Sequence, residues 1–186
     1  MKLNLKPVQD QVVVLVGASS GIGRLCALRF AERGAKVVVC ARSGPGLDCL
    51  VAQIRASGGE ATAAVTDVSD LAQVQAVADR AIEAYGRIDT WVNLAAVIVF
   101  APFEQTTVEE FKRVIEVNLM GQVHGAMAAL PHLKRDGGAP DLCVLDGSQA
   151  INPTADGVLR LQARHRRLHR SPAGRTPARQ DSGEPD

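Results

Sequence analysis

Aromatic residues are scarce: one tryptophan, one tyrosine and four phenylalanines, 3% of 186 residues. None falls between Leu159 and Arg179, where Arg160, Arg164, Arg166, Arg167, Arg170, Arg175 and Arg179 run without an acidic residue. Binding single-stranded nucleic acid needs aromatic platforms among its basic groups, so no nucleic-acid partner is expected from this stretch. Net charge is also lacking. At +1 the chain shows no bias toward polyanions or acidic surfaces. The four cysteines, Cys26, Cys40, Cys49 and Cys143, include no CxxC pair, and no metal is expected. Cys26 and Cys40 lie in apolar runs and read as buried thiols of a reducing compartment. No stretch reaches the roughly 18 uncharged residues of a membrane span, so no membrane partner is expected. Met1 to Gln11 carries two lysines with no apolar core behind them, which does not read as a signal peptide. Cytoplasmic localisation is the expectation.

What is present is an alternation of strands and helices. Val12 to Val16 is a continuous apolar run, the pattern of a strand covered on both faces. A glycine-rich turn follows, then a helical stretch stopping at Gly34. Val37 to Cys40 is a second strand, Leu47 to Ala56 a helix and Ala61 to Val65 a third strand. Asp67, Ser69 and Asp70 supply N-cap chemistry for a helix that ends at Tyr85-Gly86. Ile88 to Leu94 is a fourth strand. Thr107 caps a long helix from Val108 to about Leu133, with a bend expected near Gly121 and Gly125. Leu142 to Leu145 reads as a fifth strand. This order builds an α/β fold, a doubly wound parallel sheet in a three-layer α/β/α sandwich. The pattern fails after about Asn152. One domain over residues 1–150 and a disordered tail over 151–186 are therefore expected.

The strongest motif is Gly17-Ala18-Ser19-Ser20-Gly21-Ile22-Gly23, placed between a strand and a helix. In such a turn the first glycine permits the tight bend and the second lets the backbone approach a pyrophosphate. The third allows close helix–strand packing, and the helix N-terminus supplies amides and a positive dipole end. Ala41-Arg42 closes the second strand where an acidic residue would bind a ribose 2′-hydroxyl. An arginine there can pair with a 2′-phosphate through a charge-assisted fork, so NADP is favoured over NAD. A solvated surface arginine is the alternative.

Val16 to Gly23, VGASSGIG, resembles the TGxxxGIG turn of short-chain dehydrogenases/reductases, whose nucleotide domain is a Rossmann fold. Asp67-Val68 falls where that family places an aspartate against the adenine ring. Asn93 and Ala95, within Val92 to Ala96, resemble its NNAG stretch beside the adenosine ribose. Asn118, in Val117 to Gly121, resembles the asparagine that supports a proton-relay water. The resemblance runs from about Val8 to Asp141. It implies a cofactor site made of Gly17, Ser19, Ser20, Gly21, Ile22, Gly23, Arg42, Asp67, Val68, Asn93 and Ala95, with Asn118 on the catalytic side. It also implies hydride exchange with a small alcohol or carbonyl substrate, and pairing of two copies through helix 108–133. Val114, Val117 and Met127 are expected on that helix's apolar outer face. Two departures stand out. Val16 replaces threonine, removing a side-chain hydrogen bond worth about 1 kcal/mol. Leu94 and Ala96 replace the asparagine and glycine of NNAG.

The family's tyrosine–lysine pair has no counterpart. Tyr85 is the single tyrosine, no YxxxK follows, and Ser148 stands in an altered context that reads as a turn. A shift of reading frame near Ala139 or Pro140 would account for this and is the expectation. Read one base later, Val158 to Gln162 permits Tyr-Ser-Ala-Ser-Lys, and Leu142 to Leu145 permits Ser-Val-Ser-Ser. A coding sequence without a gained or lost base there would exclude the shift. As written, the chain is expected to be a C-terminally truncated and inactive reductase, or a non-catalytic nucleotide-binding remnant of a pseudogene.

Overall fold

The computed structural model describes residues 6–133, 141–146 and 149–151. In order, the elements are β1 (Val12–Val16), α1 (Gly21–Glu32), β2 (Lys36–Ala41), α2 (Gly44–Ala56), β3 (Ala61–Val65), α3 (Leu71–Tyr85) and β4 (Thr90–Asn93). Then come α4 (Val108–Ile115), a π-helical turn (Glu116–Met120), α5 (Gly121–Leu133), β5 (Asp141–Asp146) and β6 (Gln149–Ile151). The strands form one sheet in the order β3-β2-β1-β4-β5-β6. The first five are parallel, with Val12 opposite Lys36 and Val16 between Cys40 and Asn93. β6 returns antiparallel to β5. This is the doubly wound order, and its switch point lies between β1 and β4.

Side chains alternate across the sheet and divide the core in two. Val13, Leu15, Val37 and Val39 pack with Ala27, Ala31, Leu47, Leu50 and Ile54 of α1 and α2. Val14, Val16, Val38 and Cys40 pack with Val74, Val77, Ala81, Val117 and Ala129 on the other face, under α3 and α5. Both faces are covered, which is why β1 reads as an unbroken apolar run rather than an alternating one.

The helix starts are fixed locally. Asp70 accepts from the Ala72 and Gln73 amides at 2.9 and 3.3 Å, and α3 ends on Gly86 in the left-handed region at φ 77°. Thr107 and Glu110 form a reciprocal capping box. Ser43 caps α2, and Pro45 suits its first turn, so that helix begins at Gly44, before the expected Leu47. β4 is shorter than the expected Ile88 to Leu94, although the Asp89 amide still donates to the Val12 carbonyl at 2.9 Å. The Asp89 carboxylate accepts from the Val12 amide at 2.8 Å and pairs with Arg87 and Lys6.

The long helix differs from its sequence reading. Its irregularity is the π turn at Glu116–Met120, ahead of Gly121. Gly121 and Gly125 are sites of close packing instead. A Cβ on Gly121 would stand 2.9 Å from Val68, and one on Gly125 2.9 Å from the Trp91 indole nitrogen. Val117 does not share the outer face; it is buried against the sheet. The outer face carries Phe111, Ile115, Leu119, Val123 and Met127, all exposed and four residues apart. Cys40 is buried, and burial pushes its thiol up to about 12. Cys26 is only half-buried, packed at the margin of the core that α1 and α2 share with the sheet. β6 was not expected, since three residues carry no periodic signal. The tail from 152 to 186, with Ser148 and the segment 158–162, lies outside the described residues.

Candidate functional site

Every expected site residue except Asn118 lies just past the C-terminal end of a strand: Gly17 to Gly23 after β1, Arg42 after β2, Asp67 and Val68 after β3, Ala95 after β4, with Asn93 closing β4. Parallel pairing brings these four ends to one edge of the sheet. Ligands of doubly wound sheets bind in the crevice at this edge.

The glycine loop is shaped by contact on one side and openness on the other. The Gly17 and Ala18 amides both donate to the Cys40 carbonyl, at 2.8 and 3.1 Å, which turns the chain sharply out of β1. Gly17 sits at φ 83°, with its Cβ position 2.8 Å from the Ala95 nitrogen. A Cβ on Gly23 would land on the Gly17 carbonyl, so α1 can approach β1 only without one. Gly21, at φ 55°, faces nothing within 4 Å. Ser20 is the N-cap of α1 but makes no side-chain cap, unlike Ser43, Asp70 and Thr107. Uncapped amides, a positive dipole end and an open glycine surface suit an approaching phosphate. Ser19 is half-buried against Gly46, while Ile22 is 72% exposed beside the loop.

At the β4 end, Asn93 is fully buried. It donates to the Gly121 carbonyl at 3.0 Å and accepts from the Ala95 amide at 3.1 Å, locking the strand's exit to α5. Asn118 brackets Val97, accepting from its amide and donating to its carbonyl, both at 2.8 Å. Its side chain thereby holds the segment that leaves β4. Beyond Val97 the loop exposes Ile98, Phe100 and Phe103, and an apolar pocket of about 280 Å³ separates it from α4.

Asp67 is the most heavily bonded site residue. Oδ1 accepts from the Ser69 amide at 3.0 Å and its hydroxyl at 2.7 Å, and Oδ2 accepts from Arg113 at 2.7 Å. Partial burial pushes the carboxyl up, but these donors outweigh it and bring it to about 2. The Ser69 and Arg113 partners were not anticipated. Nothing local in the sequence signals a contact between positions 46 apart.

Arg42 is exposed at the end of β2 and makes no hydrogen bond or ion pair among the described residues. Tyr85 stands at the opposite edge, where β2 begins, with the Lys36 ammonium 5.6 Å from its ring centre. Burial, then the Glu60 charge, push its hydroxyl up. It is remote from the glycine loop. Among the described residues, no helix is long and apolar enough to cross a membrane, and no group of three His, Cys, Asp or Glu could hold a metal ion.

The profile of the short chain dehydrogenases matches residues 11–140. The chain belongs to this family. An oxidoreductase of Bacillus subtilis named YxnA, carried as uncharacterized, is 44% identical over 131 residues, 70% of this chain and 37% of that protein. A 1-deoxy-11-beta-hydroxypentalenate dehydrogenase of Streptomyces avermitilis is 37% identical over 145 residues, 77% of this chain and 53% of that one. Among solved structures, a short-chain dehydrogenase/reductase from Burkholderia phymatum in complex with NAD superposes with a TM-score of 0.73 at 33% identity. That match covers 75% of this chain and 50% of the other. The chain thus spans about a third to a half of the length of these relatives. A short-chain dehydrogenase binds a nicotinamide dinucleotide in this crevice. The residues here fit one: the Gly21 cradle is one that a Cβ would fill, and the α1 amides carry no competing side chain.

Proposed function

We propose that this chain is the cofactor-binding part of an NADP-dependent oxidoreductase acting on a small alcohol or carbonyl compound. The open cradle at Gly21, beside the uncapped start of α1, carries the reading. Gly17, Ser19, Ser20, Gly21, Ile22 and Gly23 form the bed for the pyrophosphate, the backbone amides donating to its oxygens. Asn93 and Ala95 line the ribose side, and Asp67 with Val68 the adenine edge. Arg42, free of protein partners among the described residues, receives the 2′-phosphate. Bound NADP supplies hydride transfer. Asn118 serves as a positioning residue, holding the chain after β4 through Val97.

Proton transfer is a separate requirement. Tyr85 is the one tyrosine in the sequence and sits at the wrong edge of the sheet. The 186 residues as they stand therefore favour binding without turnover, the nucleotide-binding remnant being the second reading. Isothermal titration calorimetry of the full chain separates cofactor choices. NADP⁺ should bind about tenfold or more tighter than NAD⁺, the worth of one charge-assisted pair, and Arg42→Asp should reverse the order. Equal affinities for both dinucleotides would remove Arg42 from the site.

We further propose that the outer stripe of α4 and α5 packs against a second copy. Phe111 is 55% exposed, Leu119 55% and Met127 52%, a contiguous apolar face that a lone domain rarely leaves open. Light scattering should give twice the chain mass, and Leu119→Glu should halve it. A monomeric wild-type chain at micromolar concentration would contradict this pairing.

A further inference from the structure

Three consecutive residues between β3 and α3 are each held by the long helix. Arg113 on α4 donates to Asp67 Oδ2 at 2.7 Å and to Ser69 Oγ at 2.8 Å. His124 on α5 meets the Val68 carbonyl through Nδ1 at 2.9 Å. A carbonyl only accepts, so Nδ1 carries the proton. These contacts span 44 to 56 positions of sequence. They are tertiary, not local, and their target is the adenine edge of the groove.

The Asp67 carboxylate can be counted. An ionised carboxylate offers about four lone-pair positions. Ser69 fills the two on Oδ1 through its amide and hydroxyl, and Arg113 fills one on Oδ2. One acceptor position remains, on Oδ2. A planar guanidinium joined to both Asp67 and Ser69 fixes the plane of the carboxylate, and so the direction of that last lone pair. It also keeps the group ionised, hence an acceptor only. Such a group accepts from an exocyclic amine and repels a carbonyl oxygen in its place.

We propose that Arg113 is a specificity-determining positioning residue: by gripping Asp67 and Ser69 together it aims the free Oδ2 acceptor at the 6-amino group of an adenine ring. Adenine donates at that position, whereas hypoxanthine presents a 6-oxo acceptor. The preference for adenine dinucleotides is therefore set from α4, by a side chain that does not touch the base. His124 restrains the neighbouring Val68 backbone in the same frame. The inference rests on Asp67 and Val68 being the adenine edge.

The alternative is that Arg113 only fastens α4 to the β3–α3 loop. Binding of NADP⁺ and NAD⁺, and of the deamino forms of each in which hypoxanthine replaces adenine, tells the two apart on the full chain. The wild-type chain should prefer the adenine form in whichever series binds. Arg113→Met should erode that preference about tenfold, as loss of a hydrogen bond to a charged group implies, with affinity for the deamino form little changed. Arg113→Lys keeps the charge but lacks the planar fork that fixes the carboxylate, and should lose roughly threefold. It decides the matter if the methionine variant fails to fold. Equal weakening of adenine and deamino forms, leaving their ratio untouched, would overturn the proposal and leave Arg113 a fastener. A wild-type chain that binds a dinucleotide without preferring adenine would overturn the role of Asp67. One that binds none of the four would instead overturn the cofactor reading of the groove.

Discussion

Gly17→Ala is expected to lower stability by about 2–5 kcal/mol, from left-handed backbone strain of roughly 1–2 and overpacking of roughly 1–3. The backbone at Gly17 sits at φ 83°, a region any side chain resists. The added methyl would also stand 2.8 Å from the Ala95 nitrogen and 2.9 Å from the Leu94 carbonyl carbon. Both are backbone atoms at the exit of β4, and neither can rotate aside. Relief requires β1 and β4 to part at the edge where the cofactor groove opens. With domains stable by about 5–15 kcal/mol in all, such a loss is a large fraction of the whole. Gly21→Ala is the matched control. Its φ of 55° is also left-handed, but its Cβ would meet nothing, so only about 1–2 kcal/mol of strain applies. Urea unfolding of both variants should show a clearly lower midpoint for Gly17→Ala. Gly21→Ala should lose dinucleotide affinity out of proportion to its stability, because its methyl projects into the cradle. Matching midpoints would mean that the Gly17–Ala95 approach relaxes freely.

The parts of this molecule legible in its sequence are those decided by neighbours along the chain. β1 and β3 fall on the expected residues because a short apolar run between polar turns leaves little freedom in where a buried strand begins. Thr107 and Gly86 mark helix ends because capping is a contact over three or four positions. The glycine loop was legible for a different reason. Its spacing encodes both a turn and a close approach, and the structure shows a backbone neighbour for Gly17 and Gly23 and open space for Gly21.

What was not legible depends on contacts across the fold. Val117 lies on a helix with apolar residues on two faces, and periodicity alone could not say which face meets the sheet. The irregularity is a π turn that ends at Gly121, whereas Gly125 is a close packing contact. By taking up one extra residue, the π turn keeps Phe111, Ile115, Leu119, Val123 and Met127 in line outside, while Arg113, Asn118 and His124 bond to the loops after β3 and β4. The helix thus joins the Asp67 to Ser69 loop, the Val97 segment and the outer stripe. No sequence window contains that relation.

Trp91→Ala is expected to cost about 3–5 kcal/mol, the range for removing a large buried aromatic side chain. Trp91 is fully buried and is the largest side chain in the core. Its indole lies over Gly125, where a Cβ would be 2.9 Å from the ring nitrogen and 3.5 Å from Asn93 Nδ2. One large residue on β4 and one absent side chain on α5 are therefore complementary, and neither can change alone. The indole nitrogen has no hydrogen-bond partner among the described residues. Its contribution is volume rather than polarity, so Trp91→Phe should cost far less, under about 2 kcal/mol. The consequence reaches the site because Asn93 is two residues on and bonds to the Gly121 carbonyl of the same helix. A cavity under α5 loosens the seat from which Asn93 holds the exit of β4. Dinucleotide affinity should therefore fall in Trp91→Ala under conditions where the variant is still folded, and be kept in Trp91→Phe. A phenylalanine variant as unstable as the alanine one would show that the buried nitrogen has a partner and that polarity, not volume, governs this contact.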